Sequence, residues 1–188
     1  QSARETANWV AAGAIARKII AQHKIRIVAS VVEIAGIHAT VFDAKEISKN
    51  AVNCGDRKAA ENMVAAIEKA RKEGDSVGGI IEVVVDNVPA GLGEPVFDKL
   101  DADLAKALMS INAAKGVEIG SGFEAARMRG SEHNDLFVKK GGKVVTKTNH
   151  AGGILGGISN GMPLVARVAF KPTSSITQEQ NTVTVAGK

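Results

Sequence analysis

The chain has 188 residues, a length that suits one folding unit with a core of its own. Hydrophobic residues make up 45% and charged residues 23%, which excludes a disordered or collagen-like chain. A net charge of +4 and a pI near 9.2 leave nucleic acid, an anionic membrane surface or a small polyanion as partners. Nucleic acid is disfavoured among these, because there is no dense Lys/Arg run and aromatics are 3%, too few for base stacking.

The capping box Ser2-Ala3-Arg4-Glu5 predicts a helix start, with the Ser2 hydroxyl taking the Glu5 N–H and Glu5 reaching back. Ala11, Ile15 and Ile19, flanked by Val10 and Ala14, continue it as one apolar stripe, and Arg17, Lys18, His23 and Lys24 suit its C-terminal end. Residues 25–32 form a β-branched run that reads as a buried strand. A second helix is expected over 56–72, where Ala60, Met63, Val64 and Ile67 share a face and Gly74 offers the stop. A strand over 77–85 and a Pro/Gly-rich loop over 89–95 follow, then a third helix on Leu100, Leu104, Leu108 and Ile111. Residues 117–119 read as a short strand, 123–128 as a helical turn, 130–142 as a charged, mobile-looking loop, 149–162 as a second loop and 164–170 as a strand. Strands and helices do not alternate strictly, so an α+β arrangement fits better than a doubly wound parallel sheet, and no linker divides residues 1–188, which read as a single domain.

Cys54 is the one cysteine, so an internal disulfide is excluded and a small buried apolar role is expected. No apolar run approaches the roughly 20 residues that span a bilayer, and the N-terminus does not read as a signal peptide. Both ends read as cut: there is no initial Met, and Lys188 follows directly on the strand-like run 182–185.

Several groups could carry chemistry. Arg4 in a first helical turn adds a guanidinium to orphan N–H groups and the helix dipole, a place for a phosphate or carboxylate, although an ordinary capped helix start explains it equally simply. The glycines at 152, 153, 156 and 157 let backbone lie flat against a planar ligand or another segment, yet they form neither G-x-G-x-x-G nor a P-loop. Lys171, Pro172, Thr173, Ser174 and Ser175 put a cation, a rigid turn and three hydroxyls at a strand end, either an anion cradle or a polar turn. His23, His38, His133 and His150 form no zinc-binding pair, so no metal site is expected; His150 abuts the glycine loop, where a backbone hydrogen bond is its expected role.

Read together, Ser2-Ala3-Arg4-Glu5-Thr6-Ala7, Asp75-Ser76-Val77-Gly78-Gly79, and the run from Val88-Pro89-Ala90-Gly91 through Lys99-Leu100 closely resemble the chorismate synthase family. Lys115-Gly116-Val117-Glu118-Ile119-Gly120, Arg129-Gly130-Ser131-Glu132-His133-Asn134-Asp135, Thr148-Asn149-His150-Ala151-Gly152-Gly153, and Lys171-Pro172-Thr173 follow in that family's order. The resemblance covers essentially every residue while the chain covers about half of the family's usual length. It implies a lyase of the shikimate pathway that eliminates phosphate from 5-enolpyruvylshikimate 3-phosphate to give chorismate. It also implies reduced FMN as cofactor, with NADPH serving indirectly to reduce it, a cytoplasmic homotetramer, and a β-α-β sandwich with helices between antiparallel sheets. The substrate's phosphate and two carboxylates favour the small-polyanion explanation of the charge. By motif, Ser2, Ala3 and Arg4 would bind substrate; Ser2, Asn112, Ala113, Gly156, Lys171, Pro172, Thr173, Ser174 and Ser175 would bind FMN. Gln1 departs from the family's usual Arg-Ser before Ser2, which weakens the flavin contact there, and Asn8-Trp9 sits where an arginine is frequent. The family's two catalytic histidines and a Gly-Arg-His-Asp segment match no part of these residues, so the 188 residues alone are expected to be inactive. The alternative is a non-catalytic folded core that binds FMN or anions weakly.

Overall fold

A computed structural model describes residues 4–187. Helix α1 (Glu5–Ala21) begins after Arg4, whose φ of −53° and ψ of −36° are already helical. The capping box itself turns on Ser2, which with Ala3 lies outside the described residues. Strand β1 (Arg26–Ile34) turns through Ala35 and Gly36, both left-handed, into the two-residue β2 (Ile37–His38). Helix α2 (Arg57–Lys72) starts where Asp56 accepts the Ala59 N–H, the bond expected of an aspartate N-cap. It ends at Gly74 (φ +70°), where the Gly74 N–H reaches the Arg71 carbonyl and the Asp75 N–H reaches Ala70, the paired bonds of a Schellman cap.

Strand β3 (Gly79–Asp86), helix α3 (Leu100–Met109), strand β4 (Ala114–Ile119), a 3-10 turn (Gly122–Arg127) and strand β9 (Leu164–Phe170) all fall close to their expected places, α3 stopping two residues short of Ile111. The interval 130–142 departs from the expected loop. It holds a short helix α4 (Gly130–His133) and strand β5 (Phe137–Lys140), which pairs with β6 (Lys143–Thr146) across Gly141-Gly142. Both glycines have positive φ, the backbone that a two-residue hairpin loop demands. The 149–162 loop likewise contains a small hairpin, β7 (Ile154–Leu155) with β8 (Ile158–Ser159). Residues 182–185 are not a strand.

Five strands form one antiparallel sheet in the order β2-β1-β3-β9-β4. Leu164, Ala166 and Val168 alternate to a buried face, with Val31, Ile81 and Val117 in register beside Val168. Helix α2 covers one end of that face with Met63, Ala59 and Ala60 packed against Val31 and the fully buried Cys54. Helix α3 covers the other end, where Leu100 and Leu104 meet Val85, Leu164, Ile119 and Ile154. The α+β expectation holds: α2 and α3 cover one face of a five-stranded antiparallel sheet beside two small hairpins. On the opposite face Ser30, Glu82, Arg167 and Glu118 lie in register, and Arg167 pairs with Glu118 at 3.2 Å.

The stripe on α1 is apolar as expected but is not core: Val10, Ile15 and Ile19 are 71%, 65% and 57% exposed. Among the described residues no helix is long and apolar enough to cross a membrane.

Candidate functional site

Some of the flavin-binding candidates, Asn112, Ala113 and residues 171–175, are brought together by the register of β3, β9 and β4. Gly79, the first residue of β3, and Ala114, the first of β4, both pair with Phe170 at the end of β9. One residue further on, the Lys171 N–H donates to the Ala113 carbonyl at 3.0 Å. Ala113 is left-handed, with φ +67°, a conformation that costs a non-glycine residue roughly 1–2 kcal/mol. Asn112 and Ala113, which follow α3, are thus held beside Lys171 and Pro172.

Residues 171–175 are exposed, so the Lys171 ammonium and the hydroxyls of Thr173, Ser174 and Ser175 face solvent rather than core. The turn leans on the Asp75–Gly79 motif: the Ser76 hydroxyl donates to the Thr173 carbonyl at 2.6 Å, and Gly78 sits against the Phe170 carbonyl and the Pro172 ring. Next to it an apolar cavity of about 470 Å³ opens between the end of α2 and the sheet, lined among others by Ile67, Arg71, Ser76, Gly78 and Phe170.

Gly156 is set apart from this group. It turns the β7–β8 hairpin with φ +60°, and its Cα side is open, since an added Cβ would meet nothing within 4 Å. The neighbouring Gly157 carbonyl accepts the Leu100 N–H at the start of α3, whose ten residues put about 15 Å between that point and the Asn112 end. Arg4 stands at the head of α1, about 20 Å along the helix from Arg17, which donates to the Ile27 carbonyl at 2.8 Å.

A second polar cluster, at the Leu164 end of the sheet, gathers Asp135 and Thr148, to which the sequence assigned no role, around His150. Asp135 accepts the Thr148 hydroxyl at 2.6 Å, the His150 N–H at 2.8 Å and the Ala151 N–H at 2.9 Å. Burial works against its carboxylate, but the Thr148 hydroxyl, these two N–H groups and the nearby His150 imidazole outweigh it and hold the carboxyl below its ordinary value. His150 differs from the expected backbone contact: its ring Nδ1 lies 3.0 Å from the Ser121 hydroxyl and its ring 5.7 Å from that of His133. The signal for this group was present in the two quoted motifs, but only the fold shows that they meet. Among the described residues no set of three or more His, Cys, Asp or Glu could hold a metal ion.

Comparison with known proteins gives one consistent result. The family model described as chorismate synthase matches residues 1–188. The chorismate synthase of Methanosarcina mazei is 58% identical over 186 residues, covering 97% of this chain and 51% of that protein. That of Trichodesmium erythraeum is 53% identical over 193 residues, covering 100% of this chain and 52% of its own. A crystal structure of chorismate synthase superposes with a TM-score of 0.85 at 37% identity, covering 91% of this chain and 56% of that one. The chain spans about half the length of the curated relatives it matches.

Proposed function

This chain belongs to the chorismate synthase family, and from that premise we propose that it contributes the flavin-anchoring part of a lyase that eliminates phosphate from 5-enolpyruvylshikimate 3-phosphate to give chorismate. The observation that carries this reading is the meeting of Asn112-Ala113 with Lys171 through the Lys171 N–H bond to the Ala113 carbonyl. It joins two segments, distant in sequence, that the family resemblance assigns to one cofactor.

The residues at this strand end fit the phosphate and ribityl chain of FMN. An exposed ammonium supplies a point charge, three exposed hydroxyls can donate to phosphate oxygens, and none of residues 171–175 is acidic. Gly156 offers an open backbone surface on which a planar ring could rest. Reduced FMN, when bound, supplies electron density transiently as the phosphate leaves the substrate. Arg4, at a helix start where the dipole favours anions, would hold one of the substrate's anionic groups. The resemblance places the family's two catalytic histidines outside these residues, so the 188 residues by themselves are proposed to bind without turning over.

Titration of the chain with FMN, with and without 5-enolpyruvylshikimate 3-phosphate and read by flavin fluorescence, tests the reading. Saturable binding that substrate tightens and Lys171→Ala weakens supports it. A folded sample that binds no FMN leaves the second reading, a structural core whose cofactor site is completed elsewhere.

A further inference from the structure

We propose that Ser76 is a positioning residue for the anion-binding turn at 171–175, setting its geometry through the Thr173 carbonyl. The inference rests on the flavin reading above and adds to it a residue that does not touch the ligand. Ser76 is half-buried, and its hydroxyl donates to the Thr173 carbonyl at 2.6 Å across a long sequence separation. That carbonyl belongs to the first of the three hydroxyl residues, so the bond fixes the peptide plane between Thr173 and Ser174 and with it the backbone from which those two hydroxyl side chains leave.

The position of Ser76 is itself tightly determined. The Schellman cap of α2 places Asp75, whose carboxylate accepts the Ser76 N–H at 2.8 Å, and two residues later Gly78 packs on the Phe170 carbonyl. The turn is tied at both ends, by Lys171 to Ala113 and by the Thr177 N–H to the Gly74 carbonyl at 3.0 Å. Ser76 reaches it between those ties. Anchors at both ends constrain where the segment begins and finishes but leave the peptide planes between them free to rotate, and a hydrogen bond to Thr173 removes that freedom before a ligand arrives.

Ser76→Ala removes the bond and Ser76→Thr restores a hydroxyl at the same place. Amide hydrogen exchange across residues 171–177 and FMN titration are compared for the wild-type chain and both variants. The expected result is faster exchange within 171–175 and FMN affinity weakened about 2- to 10-fold in Ser76→Ala, both recovered in Ser76→Thr, with little change in thermal midpoint. A merely structural role would lower the midpoint and raise exchange throughout β3 and β9. Unchanged exchange at 171–175 in Ser76→Ala overturns the proposal, as does faster exchange with FMN affinity unaltered. Wild-type chain that binds no FMN removes the flavin reading instead, and the exchange comparison then decides alone whether Ser76 holds the turn.

Discussion

Gly78 packs on the Phe170 carbonyl and the Pro172 ring, where β9 runs into the turn at 171–175, so Gly78→Ala tests whether sheet and turn are mechanically joined. Its φ is not in the left-handed region, so alanine would meet no conformational penalty, only a steric one. An ideal Cβ would lie 2.5 Å from the Phe170 carbonyl oxygen, 3.1 Å from Pro172 Cδ and 3.3 Å from the Pro172 nitrogen. Neither the backbone oxygen nor the ring can swing aside as a flexible side chain would. The Phe170–Pro172 backbone must therefore shift by at least about half an ångström, in a strand paired on both sides. Overpacking of this kind typically costs about 1–3 kcal/mol. In a chain of this length each kcal/mol moves the midpoint by about 2–4 °C, so thermal unfolding followed by circular dichroism should show a loss of about 2–12 °C. Gly13→Ala is the internal control. It lies mid-helix in α1 with nothing within 4 Å of an added Cβ, so alanine should stabilise by about 0.8–1 kcal/mol through helix propensity alone. A Gly78→Ala midpoint within a degree of wild type, or a pair of variants in the reverse order, would refute the packing argument.

Met63→Ala should destabilise by about 2–5 kcal/mol in chemical denaturation, because Met63 is fully buried in the cluster that joins α2 to β1. The Asp56 carboxyl is held down to about 2, first by the Ala59 N–H and then by that of Thr40. Its folded value lies below its unfolded one, so its contribution is full above about pH 4 and is lost as pH falls through about 2. The midpoint gap between wild type and Asp56→Asn should accordingly shrink from pH 5 to pH 2, and a constant gap would contradict this. Asp135→Ala strips three acceptor contacts at once, so amide exchange should accelerate at His150 and Ala151 first; protection unchanged there would mean the cluster is held by other contacts.

Much of the fold was legible because period and punctuation agreed. For α2, the apolar face, an aspartate at the start and Gly74 at the end all point to one element. The β5–β6 hairpin was missed although Gly141-Gly142 between Phe137-Val138 and Val144-Val145 is a hairpin signature; its strands are exposed throughout β5 and in much of β6, so their lysines gave the segment the look of a solvated loop. On α1 the periodicity marked Ala11, Ile15 and Ile19 as a stripe, but no residue of the helix is buried and Val10 and Ile19, on opposite sides of it, are both exposed, so the apolar residues are not gathered onto one covered face.

The candidate site was legible in a different way. Lysine, proline and hydroxyls at a strand end read locally as either an anion cradle or a polar turn, whereas Asn112 and Ala113 carry no local signal, and an alanine at φ +67° defies its own preference. They entered through the family resemblance, and long-range register then sets them beside Lys171: Ala114 paired with Phe170 leaves the Ala113 carbonyl facing the Lys171 N–H. The same register explains why Gly156 lies far from that group in spite of its likeness to a ligand-binding glycine, since its hairpin packs at the opposite end of α3. A cofactor that engaged both Lys171 and Gly156 would have to extend along α3, with its phosphate at Lys171 and its ring toward Gly156. Fluorescence quenching by substrate that depends on residue 156, together with phosphate-sensitive affinity that depends on residue 171, is the pattern that orientation requires.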